Sequence, residues 1–591
     1  MNETIRQLGL ATGPAPRAIA GRFDSIDAAM RRAVARGDVA GVVAMGATAQ
    51  GEVYSGAFGH ADVRTGAPMR EDAVFWLLSM TKTITATACM QLVEQGKLRL
   101  DQEAREILPE LANPQVLEGF DDDGRPRLRP ARRPITIRHL MTHTSGYTYA
   151  NWSAALTRYE QVTGMPDIAS LRNAAFGAPL EFDPGERWEY GIGMDWIGKI
   201  VEQVSGQSLE VYFRENVFEP LGMKDSGFLM SSAQKRRVAT LFNRQADGSL
   251  VAAPFEIPQR PEFFMGGGGA FSTPRDYMSL LRALLNGGEL DGVRILRPET
   301  VASMMANHIG DLDVHEMHSA HPEVSNDFDQ FPGEAHKWGL SFDINERPGP
   351  NGRSAGSASW AGLLNCYFWI DPVKKVAGAL FTQILPCYDA RVVALYGELE
   401  RGIYRALDRR PSLRDALVGA WQLVSCRETD LETGEVFLPM GTEPDGLILY
   451  TPDGYMSAQL SAPARHAFAS GDMYRGTAQE YVDAGASYLA YSGPYYVDEE
   501  ERTIQHEMFV SLFPNWKGQR QARIAKLDGD ELRLSPDRPH MFNGSLKSAE
   551  IVWRRATPNG WPDFEGRESR RGRIPFQEVA ADPVAQNGGD Q

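Results

Sequence analysis

Apolar positions in the first two thirds of the chain follow two rhythms, short buried runs and helical faces. Residues 23–36 have helical spacing, and residues 41–59 alternate like two strands joined by a turn at Ala49-Gln50-Gly51. The run Val74 to Leu78 predicts a buried strand or extended approach. Residues 84–95, without Gly or Pro, predict the helix that follows, and Gly96 stops it. Residues 136–146 begin as a short helix and run into a turn. After the turn Asp183-Pro184-Gly185, a helix places Met194, Ile197, Val201 and Val204 on one face and ends at Gly206. Ser272-Thr273-Pro274 gives cap and first-turn signals for a helix reaching Gly287-Gly288. Residues 338–344, 359–370 and 375–381 read as strands, and residues 392–407 as a closing helix.

Beyond Arg409-Arg410-Pro411 the texture changes to short alternating strands separated by turn pairs. Examples are residues 447–450, the turn Pro452-Asp453-Gly454, residues 455–460, and Asp528-Gly529 before Leu532-Arg533-Leu534. That cadence predicts an antiparallel barrel. The expected organisation is a leader over 1–19, a mixed domain over 20–407, a linker over 408–416, a β-barrel over 417–556 and a polar tail over 557–591.

A length of 591 residues fits two or three domains. The net charge of −16, with acids and bases mixed, argues against nucleic acid or an anionic membrane surface as partner. No apolar run approaches membrane-spanning length, and residues 1–17 lack the charged start and apolar core of a secretory signal. Cys89, Cys366, Cys387 and Cys426 are scattered in apolar surroundings, as expected for reduced thiols in a cytoplasmic protein. The oligomeric state is open, a homo-oligomer included.

Candidate chemistry centres on Ser79-Met80-Thr81-Lys82, where the apolar run meets the helix. With Ser79 at the helix start, Lys82 lies one turn on and on the same face, within reach of the seryl oxygen. Unpaired N–H groups and the positive end of the helix dipole favour an oxyanion there. This is the geometry of a serine nucleophile activated by lysine. The same spacing recurs at Ser232 and Lys235, in a polar stretch without an apolar approach, and reads as a solvated loop or helix end.

Five landmarks in order give residues 20–407 a resemblance to the serine β-lactamase-related hydrolases. They are Ser79 to Lys82, His139 to Gly146, Pro184 to Tyr190, Gly266 to Gly269 with Ser272-Thr273, and Trp360-Ala361-Gly362. The look is that of class C-like carboxylesterases (family VIII), which also resemble an acyltransferase type from statin biosynthesis. The resemblance implies an α/β (α+β) fold with an antiparallel sheet and a helical subdomain. It implies Ser79 as nucleophile, with Lys82 and Tyr190 sharing proton transfer. Backbone N–H groups of Ser79 and Leu363 would form the oxyanion hole. Two departures from the β-lactamase pattern bear on substrate. Ile192 stands where an asparagine would contact the substrate amide, and Trp360 stands where a lysine would attract a carboxylate. With Ala361 and Gly362, they imply a site for neutral or apolar acyl groups.

Other candidates take plainer roles. His315, His318 and His321, near Asp311 and Asp313, lack the spacing of a zinc protease and read as a loop beside the active-site mouth. His139 and His143 read as fixing their loop by hydrogen bonds, and Gly266 to Gly269 as a tight crossing near the site. Residues 413–556 resemble a lipocalin-like barrel through Gly419-Ala420-Trp421, with Arg554 expected over the Trp421 ring. His506, Tyr491 and Arg523 are candidate polar groups inside it. The expected function is ester cleavage through an acyl-serine, on a small-molecule substrate and without metal or organic cofactor. Acyl transfer by the same intermediate, and amide or peptide cleavage of the penicillin-recognising type, are the alternatives. A non-catalytic protein binding an apolar ligand is the remote one.

Overall fold

The computed structural model describes residues 22–408, 412–499 and 501–557. The chain divides after Asp408 into two compact units. The expected leader, and all but the first residue of the expected tail, lie outside the described residues.

The first unit is built on an eight-stranded antiparallel sheet. Its order is His336–Trp338, Asp343–Asn345, Ala358–Gly362, Cys366–Asp371, Val376–Phe381, Gly41–Thr48, Gly51–Asp62 and Ala67–Pro68. The first strand in sequence thus pairs with the last of its long strands, Val43 opposite Phe381, which joins the two ends of the unit. The strands Ala358–Gly362, Cys366–Asp371 and Val376–Phe381 are buried at every position, because helices cover both faces. Asp24–Ala35 and Ala390–Leu407 pack together, with Ile26 against Gly402. Pro274–Leu285 lies on Gly41–Thr48 and Val376–Phe381. From that helix Tyr277 reaches the Met80 carbonyl at 3.0 Å and stacks edge-on to Phe368 at 5.7 Å.

Two expected strands are hairpins. Residues 338–344 split into His336–Trp338 and Asp343–Asn345 around Ser341, whose φ is +80°. Residues 359–370 split at a turn containing Leu363 and Asn365, the latter at φ +60°. An unbroken apolar run cannot reveal a tight turn whose residues are themselves buried.

The second unit is a closed antiparallel barrel of eight strands. In ring order they are Gly419–Asp430, Asp445–Tyr450, Tyr455–Ser461, Tyr488–Asp498, Thr503–Glu507, Arg520–Asp528, Glu531–Pro536 and Ser545–Arg555, the last pairing with the first. Closure removes the exposed sheet edge. The end of the region expected as linker and the first residue of the expected barrel form a short helix, Leu413–Leu417, whose Leu413 and Leu417 are fully buried in the barrel core. Trp421 fixes that helix, its Nε1–H donating to the Leu417 carbonyl at 2.8 Å.

The cation over Trp421 is Arg555, 4.1 Å from the ring centroid, and not Arg554. Trp421 lies opposite Arg555 in the register, so Arg554, one residue back, points to the other face and is exposed. Arg555 also donates to the Ala416 and Val418 carbonyls at 2.6 and 3.2 Å. Inside, His506 is fully buried and 2.9 Å from the Tyr450 hydroxyl. Tyr491 is buried, and Arg523 lies close enough to bear on both Tyr491 and His506. All four cysteines are free and buried. Among the described residues no helix is long and apolar enough to cross a membrane.

Because Arg555 ties the ring of Trp421 to two helix-end carbonyls, Arg555→Ala should destabilise the barrel by about 1–2 kcal/mol. Arg554→Ala should change it by less than about 0.5 kcal/mol. Hydrogen exchange of the Gly419–Asp430 amides reads the difference; equal effects would show that the cation over Trp421 is not what secures this end.

Candidate active site

The approach to Ser79 is tighter than an extended strand. Only Phe75–Trp76 is strand; a 3₁₀ turn covers Leu78–Met80, and the α-helix proper is Thr81–Glu94. Leu78 has φ +46°, in the left-handed region that costs a branched side chain of order 1 kcal/mol. It is held there by Leu77, whose N–H donates to the Ala270 carbonyl at 3.0 Å and whose carbonyl accepts from Met80 N–H at 3.1 Å. The bend leaves Ser79 partly accessible while Lys82, at the second position of the helix, is fully buried.

The helix is buried on every side from Thr81 to Leu92, so its polar residues must find partners inside. Thr81, Lys82 and Thr85 find them on the glycine-rich segment and the residue after it. Thr85 Oγ donates to the Gly266 carbonyl at 2.6 Å, Lys82 Nζ to the Gly267 carbonyl at 2.6 Å, and Ala270 N–H to Thr81 Oγ at 3.1 Å. The segment is pinched between this helix and Gly193–Ser205: a Cβ on Gly266 would lie 2.7 Å from the Met194 carbonyl. A Cβ on Gly267 would lie 2.5 Å from Asp195 Oδ2. The glycines are there for close approach.

Lys82 Nζ is 3.0 Å from Ser79 Oγ and 4.7 Å from the Tyr190 ring centroid. Burial drives the lysine below its ordinary range, and the Asp195 charge opposes the fall. Burial raises the Tyr190 phenol far above its ordinary range, against hydrogen bonds with Ser79 and Trp360. The shift favours the phenol over the phenolate. Its hydroxyl accepts from Trp360 Nε1–H at 3.1 Å, and the rings lie 5.0 Å apart. Trp360 thus positions Tyr190 as well as presenting an apolar face. His143, Tyr149 and Trp152 complete the aromatic surround, with centroids 4.6, 5.2 and 5.5 Å from that of Tyr190.

The remaining expected residues fall as follows. Gly362 ends its strand against the Leu77 carbonyl, with no room for a Cβ, and Leu363 follows it in the hairpin turn. Ala361 and Ile192 are buried, the latter at the start of Gly193–Ser205. His139 Nδ1 accepts from Thr136 N–H at 3.2 Å in a capping box, and His143 Nδ1 from Gly191 N–H at 3.2 Å, as expected of loop-fixing histidines. His315, His318 and His321 diverge: they face Glu189 at 3.5 Å, Asp327 at 3.2 Å and Glu323 at 3.1 Å. Among the described residues no group of His, Cys, Asp or Glu is arranged to hold a metal. The second Ser-x-x-Lys is an exposed four-residue helix, Ser232–Lys235, with Lys235 paired to Glu256 at 2.6 Å.

Sequence reasoning missed Asp195. It is fully buried, accepting from Gly267 N–H at 2.7 Å and from the Tyr149 hydroxyl at 3.1 Å. An acid in the first turn of a helix passes as a dipole partner. The signal lay in the neighbouring Gly193, Trp196 and Gly198, which mark a helix buried on more than its apolar stripe.

The profile of the Beta-lactamase family matches residues 26–399, and that of the Lipocalin-like domain matches residues 418–556. Lovastatin esterase of Penicillium rubens is 36% identical over 295 residues, covering 48% of this chain and 73% of that protein. Monacolin J acid methylbutanoyltransferase of Aspergillus terreus is 31% identical over 395 residues, 64% of this chain and 95% of that protein. Among solved structures, unliganded simvastatin synthase from Aspergillus terreus aligns with a TM-score of 0.59 at 32% identity, over 66% of this chain and 100% of that one. With that match spanning the sheet, the Ser79 turn and the helices behind it, the chain belongs to the Beta-lactamase family and carries a lipocalin-like domain after it.

Proposed function

We propose that this protein is an acyl-serine enzyme that cleaves carboxylic esters of small molecules. The observation that carries the reading is the buried Lys82 amine 3.0 Å from a partly accessible Ser79 hydroxyl. A lysine lowered by burial is neutral in a useful fraction of molecules near neutral pH and can take the seryl proton. Ser79 Oγ then adds to the ester carbonyl. The N–H groups of Ser79 and Leu363 hold the oxyanion. Collapse expels the alcohol, which takes a proton from the Tyr190 phenol while the Lys82 ammonium restores the phenol. Water, deprotonated by the same pair, attacks the acyl-serine and releases the acid. Trp360 and Ile192 leave the site without the cation and amide that a β-lactam would use, so neutral esters are the preferred substrates.

A second reading is transfer of the acyl group to an alcohol. It is supported by the methylbutanoyltransferase, similar to this chain over 95% of its own length. The residues and the first half-reaction are the same, and product analysis with a short-chain ester and an added alcohol separates the two. Predominantly free acid supports hydrolysis; predominantly the new ester supports transfer.

Rates on an activated short-chain ester test the roles. Ser79→Ala should abolish turnover, and Lys82→Ala and Tyr190→Phe should each lower kcat about a hundredfold or more. Ser232→Ala should match the wild type; a loss there equal to that of Ser79→Ala would move the nucleophile to the second motif.

The substrate preference is checked by comparing kcat/KM for a neutral short-chain ester with that for a chromogenic cephalosporin. The ester should win by at least about a hundredfold, the scale of two or three lost polar contacts. Comparable values would overturn the significance given to Trp360 and Ile192.

A further inference from the structure

We propose, resting on the reading of Ser79 and Lys82 above, that Asp195 is a positioning residue that sets the proton affinity of Lys82 through the Gly267 peptide they share. Gly267 offers its N–H to Asp195 Oδ1 at 2.7 Å and its carbonyl to Lys82 Nζ at 2.6 Å. One residue of backbone therefore fixes the carboxylate and the amine together, on two different helices. Tyr149 completes the unit, its hydroxyl donating to Asp195 Oδ2 at 3.1 Å and its ring lying 5.1 Å from Lys82 Nζ. Both side chains are fully buried, so when both are ionised each feels the other without solvent screening.

The other titratable groups around the pair do not replace this role. Burial pushes the Tyr190 and Tyr149 phenols up, and burial and the Lys82 charge push the His143 imidazole down, so all three are biased toward their neutral forms. Burial raises the Asp195 carboxyl to about 6, against the Lys82 charge and the hydrogen bonds from Gly267 and Tyr149, and Asp167 adds a smaller upward push. Asp195 is the acid that opposes the effect of burial on Lys82. Neutral Lys82 is the form that accepts the seryl proton, so acylation rises as pH rises through the lysine's pKa. Removing the Asp195 charge lets burial lower that pKa further, and the rising limb moves to lower pH.

The test is the pH dependence of covalent labelling of Ser79 by a fluorophosphonate, a probe independent of the natural substrate, on the full chain. Asp195→Asn keeps an acceptor for Gly267 N–H and removes the charge. Its rising limb should move down by about one pH unit or more, the low end of what a close opposite charge produces. Tyr149→Phe removes a hydrogen bond that favours the carboxylate, and should move the limb the same way by less. It decides the matter if Asp195→Asn does not fold. A residue with a merely structural role would change stability or plateau rate and leave the limb in place. Limbs that coincide with the wild type in the folded variants, or move to higher pH, overturn the proposal. A wild-type protein that the probe does not label overturns the reading of Ser79 itself, and this proposal with it.

Discussion

A primary amine with no access to water must either give up its proton or find charge and acceptors inside the protein, and Lys82 is fully buried. The structure around it follows from that constraint. The Gly267 carbonyl supplies an acceptor, Asp195 supplies charge, and the rings of Tyr149 and Tyr190 supply negative faces at 5.1 and 4.7 Å. The partners come from three stretches of chain, around Tyr149, around Tyr190 with Asp195, and around Gly267. The Gly266–Gly269 run is thin enough to pass between two helices; Thr85 donates to its Gly266 carbonyl, and Thr81 accepts from the Ala270 N–H that follows it.

The same arrangement separates the two groups proposed to move protons. Burial pushes an amine down and a phenol up, so it favours the neutral amine at Lys82 and the protonated phenol at Tyr190. Trp360 joins this division of labour by donating to the Tyr190 oxygen, which leaves the phenol's own proton free to point toward the reacting atoms.

What the sequence made legible were features with local signatures. The Ser79-to-Lys82 spacing, the Pro184-to-Tyr190 approach and the strand cadence after Arg409 each depend on residues near one another in the chain. Features decided by long-range contact were not legible. Asp195 matters because Gly267 and Tyr149 fold onto it, 72 and 46 residues away. Arg555 and Arg554 differ only in which face of the barrel their strand presents, and a bulge between Leu423 and Ser425 alters that register nearby. The hairpin turns at Ser341 and Asn365 were hidden because their apolar neighbours are buried with them. The Leu413–Leu417 helix was hidden because it straddles the expected linker and barrel, and only the barrel core, which takes up both leucines, holds it in place.

The central claim is that a covalent acyl group passes through Ser79. Trapping the intermediate from a slowly deacylating ester by acid quench, followed by peptide mapping in a mass spectrometer, tests it most directly. The account predicts one acyl group per chain, on the peptide containing Ser79, with none on the peptide containing Ser232. An adduct on any other side chain, or steady ester turnover with no adduct on Ser79 under any quench, would contradict it.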